Sequence, residues 1–217
     1  MSKNLVVLIS GRGSNLKAIL EAIKSGKINA KVSLVLSNKK NAKGLEIAKE
    51  YGIKAKFIDP SFFETRRGYD IYIAELIKKE NPDFVVLAGY MRILSDEFID
   101  AFEGRIVNIH PSLVPAFQGK NAQKQALDYG SLITGSSVHF VTKELDNGPV
   151  IVQAVVPVLL DDTEESLSNR ILEYEHKIYP QAIKWLVEDR VVVSGRKVIV
   201  KDAKYGTLPV NPSLEDF

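Results

Sequence analysis

The sequence predicts an α/β protein with a mostly parallel, doubly wound central sheet, helices on both faces, and antiparallel strands in the C-terminal half. Three observations predict it. Uninterrupted apolar runs of strand length recur, as in Leu5-Val6-Val7-Leu8-Ile9 and from Phe84 to Ala88; such runs suit strands buried on both faces of a parallel sheet. Segments of helical period alternate with strand-like ones through the first half, the pattern of a crossover-connected sheet. In the second half, Ser137–Val141 and Val150–Val158 are both strand-like and lie close in the chain, joined by a turn-forming Asp146-Asn147-Gly148-Pro149. A parallel crossover needs more chain than that, so these strands are expected to be antiparallel neighbours.

The elements follow in order. After the first strand, Ser10-Gly11-Arg12-Gly13 makes a turn, and Leu16, Ile19, Leu20 and Ile23 recur on one helical face with Gly26 placed to stop the helix. Val32–Leu36 reads as a second strand, Ala42–Tyr51 as a short helix closed by Gly52, and Lys56–Ile58 as a brief strand. A longer helix is expected from Phe62 to Lys79, bounded by Pro82. Past the Phe84–Ala88 strand come a short helix, Asp96–Phe102, and a strand, Arg105–Ile109. A long helix over Glu164–Val187 follows the antiparallel pair, and Val191–Val193 with Val198–Val200 around Ser194-Gly195 read as a terminal hairpin. No repeat, low-complexity tract or linker interrupts the chain, so one domain over residues 1–217 is expected.

Composition narrows the class. Of 217 residues, 45% are hydrophobic and 26% charged, enough apolar material for a core without a metal or disulfide staple. The absence of cysteine excludes disulfides, thiolate metal sites and a cysteine nucleophile. A net charge of +2 argues against a dedicated nucleic-acid binder, and the short basic clusters Lys39-Lys40 and Arg66-Arg67 read as surface charge. No run approaches the roughly 18 apolar residues that cross a membrane. The first strand begins within a few residues of Met1, so no signal peptide is expected and the cytoplasm is the expected compartment.

Two stretches carry chemistry. Gly11-Arg12-Gly13-Ser14-Asn15 lies between a strand and a helix, where backbone N–H groups and the helix dipole favour an anion. A dinucleotide fingerprint would need glycine where Leu16 stands, and no G-K-[ST] follows for a nucleoside triphosphate. A phosphate monoester fits better, with a tight turn that binds nothing as the other reading. In Val107-Asn108-Ile109-His110-Pro111, Asn108 and His110 are two apart on a strand and so project to one side, at the C-terminal end where open α/β sheets bind ligands. An amide N–H for an oxygen gaining charge, beside an imidazole that moves protons, suits acyl transfer. Asp146, in the later turn, is a carboxylate that could orient the ring and favour its charged form. His139 reads as a buried structural residue and His176 as a helix residue near Glu173 and Glu175. The histidines show no metal-ligand spacing and no G-x-S-x-G elbow occurs, so neither a metal nor a serine triad is expected.

With those residues in place, the chain resembles the folate-dependent phosphoribosylglycinamide formyltransferase family over nearly its whole length. The likeness rests on Leu8–Leu16, on Leu87-Ala88-Gly89-Tyr90-Met91-Arg92-Ile93-Leu94, on Asn108-Ile109-His110-Pro111-Ser112-Leu113, on Ser137–Val141 and on Leu145–Ile151. It implies a Rossmann-like formyltransferase fold and a role in purine biosynthesis and one-carbon metabolism. The formyl group of 10-formyltetrahydrofolate, a cosubstrate, would pass to the amine of 5'-phosphoribosylglycinamide through a tetrahedral intermediate. By the same resemblance Asn108, His110 and Asp146 are catalytic, and Gly13, Ser14, Asn15 and Glu175 bind the phosphorylated substrate. The folate pocket corresponds to Arg66, to Met91, Arg92, Ile93 and Leu94, to Asn108, and to Thr142, Lys143, Glu144, Leu145 and Asp146. Read from the residues alone, Met91–Leu94 would be a strand exit and Arg66 a solvated charge. The chain departs from many relatives at Gln118, where they carry proline, at Asn121, where some carry histidine, and at Leu172, where some carry a polar residue.

Other members of the fold stay open as alternatives: a formyltetrahydrofolate hydrolase, or a non-catalytic module that binds folate or phosphate. A methionyl-tRNA formyltransferase is disfavoured by the near-neutral charge and by the expectation that no further domain follows the terminal hairpin. Partners are expected to be small molecules, with neither nucleic acid nor membrane, and a homodimer is left open.

Overall fold

Lys3–Ile9 forms the first strand, β1, and every residue from Asn4 onward is buried. In this computed structural model, which describes residues 2–215, the chain divides into two compact units, Met1–Asn108 and Ile109–Phe217.

In the first unit α1 (Ser14–Lys24) buries Leu16, Ile19 and Leu20, the apolar stripe read from the sequence. β2 (Ala30–Ser37), α2 (Lys43–Glu50) and β3 (Ala55–Phe57) follow. The expected Phe62–Lys79 helix is corrected at its start. Pro60–Phe62 forms a 3-10 turn, and α3 runs over Arg66–Lys78, capped by Thr65, whose hydroxyl accepts a hydrogen bond from the Gly68 N–H. A side-chain cap satisfies an N–H that the first turn would otherwise leave bare, so the helix starts at the cap and not at the preceding apolar residues. β4 (Phe84–Leu87), α4 (Asp96–Ala101) and β5 (Ile106–His110) complete the alternation. β1 pairs with β2 on one side and β4 on the other, β2 with β3, and β4 with β5, all parallel. Because the strand order reverses between β1 and β4, their C-terminal ends form the switch point at which such sheets bind ligands.

The second unit begins inside β5. It contains α5 (Ala122–Tyr129), a helix absent from the sequence reading, then β6 (Ile133–Phe140) and β7 (Val150–Pro157), antiparallel as expected. β6 starts at Ile133, earlier than the expected Ser137, because Thr134, Ser136 and Ser137 are buried against β7 despite their polarity. α6 (Glu164–Val187) has the predicted bounds and opens with a capping box, in which the Thr163 hydroxyl accepts from the Ser166 N–H and the Ser166 hydroxyl from the Thr163 N–H. Its Leu167 and Ile171 pack with Val156 of β7. β8 (Val191–Ser194) and β9 (Lys197–Val200) make the expected hairpin. A further short strand, β10 (Val210–Asn211), pairs antiparallel with β7. The fold is therefore mixed α/β, with a mostly parallel central sheet, helices around it and antiparallel strands in its C-terminal half. Among the described residues, no helix is long and apolar enough to cross a membrane.

Candidate active site

In the first unit the Gly11–Asn15 turn leaves the C-terminal end of β1. Gly13 has a φ of 76°, and a Cβ there would sit 2.5 Å from the Cα of Gly44 at the start of α2. Both its left-handed backbone and this close approach require glycine. Gly13 is thus explained by packing, while Ser14 opens α1 and the buried Asn15 follows. The next strand end is tied to this turn: the Ser10 N–H donates to the Gly89 carbonyl, and the Ser10 hydroxyl donates to Asn38 Oδ1 at 2.6 Å and accepts from the Met91 N–H at 2.7 Å.

Met91 and Ile93 emerge from that anchor 65% and 52% exposed, while Leu94 between Ile93 and Ser95 is buried. Large apolar side chains held outward by fixed backbone are what a flat aromatic ligand would cover. The Arg92 guanidinium lies over the Tyr69 ring, 4.6 Å from its centroid. The Ser95 N–H donates to Asp70 Oδ2 at 2.7 Å. Arg66, exposed, is the first residue of α3, the helix that also carries Tyr69 and Asp70.

In the second unit His110 ends β5 and is 5% exposed. Its Nε2 is 2.8 Å from the Phe117 carbonyl, and because a carbonyl only accepts, Nε2 carries the hydrogen. Its Nδ1 faces Asp146 Oδ2 at 3.5 Å. Both ring nitrogens thus face acceptors, and only an imidazolium, with a proton on each, satisfies both. Phe117 has a φ of 50°, a conformation that costs a bulky residue about 1–3 kcal/mol and that persists only where surrounding contacts impose it. Here it accompanies the carbonyl's contact with His110.

Asp146 is held from several sides. Its Oδ2 accepts from the Gly119 N–H at 2.8 Å, and its carbonyl accepts from the Gln118 side-chain amide at 3.2 Å. Its Oδ1 lies 3.7 Å from Nε2 of His139. The β6–β7 register shifts between Val138 and His139, and such irregularities re-aim a side chain. His139 Nδ1 lies 2.9 Å from the Phe140 carbonyl, so this nitrogen carries the hydrogen. Burial pushes the His139 pKa down, against the opposing pull of that hydrogen bond and of Asp146. Asp146 thus sits between an imidazole suited to carry charge and one kept neutral. Nitrogen-15 NMR should find His139 uncharged with its proton on Nδ1 at pH 6.5, its ordinary pKa; a proton on Nε2 would contradict this assignment.

The turn bearing Asp146 also depends on Gly148, where a Cβ would lie 1.8 Å from the Phe140 carbonyl oxygen. Gly148→Ala should therefore destabilise the protein by about 1–3 kcal/mol. By moving Asp146 it should also lower turnover on the order of 100-fold. Thermal denaturation and steady-state kinetics check the two effects separately.

The structure thus brings together His110 and Asp146 and adds His139, the Phe117 carbonyl and the Gly119 N–H, none of them predicted. Asn108 lies two residues before His110 on β5 and pairs with Leu87 of β4. Thr142–Leu145 leads into Asp146, with the Thr142 hydroxyl donating to the Glu144 carbonyl at 3.3 Å. Glu175 is buried on α6. Among the described residues no cluster of three or more histidine, cysteine or acidic side chains is placed to hold a metal.

The chain belongs to the formyl transferase family, which it matches over residues 3–183. It is 49% identical over 188 residues to the phosphoribosylglycinamide formyltransferase of Escherichia coli, spanning 87% of this chain and 89% of that protein. It is 44% identical to part of the trifunctional purine biosynthetic protein adenosine-3 of Drosophila melanogaster, the match covering 88% of this chain and 14% of that much longer one. The crystal structure of glycinamide ribonucleotide transformylase 1 from Symbiobacterium toebii superposes with a TM-score of 0.90 at 47% identity, over 92% of this chain and 94% of that one.

Proposed function

We propose that this protein transfers the formyl group of 10-formyltetrahydrofolate to the amine of 5'-phosphoribosylglycinamide, a step of purine biosynthesis, with Asn108, His110 and Asp146 as its catalytic residues. The observation that carries the residue assignment is the 3.5 Å approach of His110 Nδ1 to Asp146 Oδ2 at the end of the strand that also bears Asn108.

The chemistry asks three things of the protein. Bond formation between the substrate amine and the formyl carbon pushes an electron pair onto the formyl oxygen, which must be stabilised. The Asn108 amide N–H and the His110 Nδ1–H supply that, since Nε2–H is already taken by Phe117. The attacking nitrogen must lose a proton, and Asp146 accepts it, directly or through water. The leaving nitrogen of the folate must gain one, and the Asp146–His110 pair returns it. Asp146 keeps His110 charged throughout. No covalent bond to the enzyme forms, and holding both reactants in line supplies much of the rate.

Gly13, Ser14 and Asn15 at the start of α1 are proposed to hold the substrate phosphate, and Glu175 to contact the same substrate. Arg66, Met91–Leu94 and Thr142–Asp146 are proposed to receive the folate, for which the outward apolar side chains of Met91 and Ile93 are suited. The cytoplasm is the proposed compartment. Incubation with carbon-13 formyl-labelled 10-formyltetrahydrofolate and the amine acceptor tests the proposal. The label should appear in an amide of the acceptor; label found only as formate would refute transfer and identify a hydrolase.

A further inference from the structure

A charged residue lies on the buried stripe of α3. Asp70 is 0% exposed, in line with Ile73, Ala74 and Ile77 on the helix face that enters the core. A carboxylate in that position is expensive unless it is used. One of its oxygens accepts the Ser95 N–H, and the other, Oδ1, is buried with no hydrogen-bond partner among the described residues. The Arg92 Nε is likewise a buried donor with no partner among the described residues. Burial pushes the Asp70 carboxyl toward its neutral form, while the Ser95 N–H and the charges of Arg92 and Arg66 pull it back toward the ionised one. Its neighbour Tyr69 is buried beneath the Arg92 guanidinium.

We propose that Tyr69 and Asp70 are positioning residues for the folate-binding segment Met91–Leu94: Tyr69 carries the Arg92 guanidinium, and Asp70 fixes the segment's far end through the Ser95 N–H. The inference rests on the reading of that segment as a folate contact. The near end is already anchored by the Ser10 hydroxyl at the Met91 N–H. With Asp70 at the other end, Met91 to Leu94 is strung between two side-chain hydrogen bonds, one from the end of β1 and one from α3. Between these anchors the Tyr69 face sets the direction of Arg92. Neither residue touches substrate in this assignment. They act by holding the backbone and the guanidinium in the geometry that binds folate, so the ligand does not bear the cost of ordering them.

Steady-state kinetics in both substrates test this. Asp70→Asn keeps the shape and an acceptor for Ser95 but removes the charge facing Arg92. Its KM for 10-formyltetrahydrofolate should rise about tenfold, the scale of one charge-assisted hydrogen bond, with kcat and the acceptor KM within about twofold of wild type. A merely structural role would lower the melting temperature and depress all three constants together, which would overturn the proposal. Should Asp70→Asn fail to fold, Tyr69→Leu is read in the same way: a selective rise in the folate KM supports the inference, and an unchanged one overturns it. Arg92→Ala separates the inference from the reading beneath it. If Arg92→Ala leaves the folate KM unchanged, the segment is not a folate contact and both fail. If Arg92→Ala raises it while the other two variants do not, the pocket stands and the positioning role falls.

Discussion

Replacing His110 with alanine should lower kcat by about 1,000-fold or more, while binding of the phosphorylated acceptor stays within about twofold of wild type. The size follows from what the ring is proposed to do. Its Nδ1–H is a donor to the oxygen that gains charge, and loss of one such donor commonly removes a factor of 100 to 1,000. It is also half of the pair that moves the proton between two nitrogens. Acceptor binding is assigned to the turn after β1 and to Glu175, which the substitution leaves intact. The ring is buried, so its removal also leaves the Phe117 carbonyl without its donor. A melting temperature and an acceptor titration on the same preparation separate a lost catalyst from a collapsed loop. Wild-type turnover in a folded variant would remove His110 from the mechanism.

Asp146→Asn should cost kcat about 100- to 10,000-fold with little change in stability. The amide is isosteric, and its oxygen can still accept the Gly119 N–H that now binds Oδ2 at 2.8 Å, so the loop keeps its place. The loss is electrical. Without the negative charge at 3.5 Å, the imidazolium form of His110 loses the partner that favours it, and the amine's proton loses its acceptor. The folate KM should move much less than kcat, because the interactions removed belong to the transition state and not to the ground state. A variant with unchanged kcat and a raised folate KM would reassign Asp146 from chemistry to binding.

Much of the fold was legible because its strongest elements are those whose patterns packing does not override. β1 and β4 read as strands from unbroken apolar runs, since both faces of a central parallel strand are buried. α6 was bounded correctly by its amphipathic period and capping residues. The start of α3 was misread because Phe62 and Phe63 extend the apolar pattern backwards, whereas the Thr65 cap decides where hydrogen bonding begins. α5 was missed because its polar face hides a weak stripe, and its N-cap is Asn121 in a left-handed conformation without a side-chain capping bond. The start of β6 was missed because Thr134, Gly135 and Ser136 have the local character of a loop and are drawn into the sheet by β7.

The candidate site divides in the same way. Asn108 and His110 could be paired from strand parity alone, and Asp146 was suggested by its turn. His139 beside Asp146, and the Phe117 carbonyl on His110, are contacts made by loop closure and by a register shift, for which the sequence carries no local signal. Asp70 did have one: an acidic residue on the apolar stripe of a helix is a conflict between levels, and such conflicts concentrate at functional sites.

The most direct test of the central assignment, that His110 and Asp146 act as one unit, is a double-mutant cycle on kcat. Single-turnover rates are measured for wild type, His110→Ala, Asp146→Asn and the double variant, all at saturating folate and acceptor. The predicted result is strong non-additivity, with the double variant close to the slower of the two single ones, because either change alone already disables the pair. Losses that multiply would contradict it, and would show two residues contributing independently.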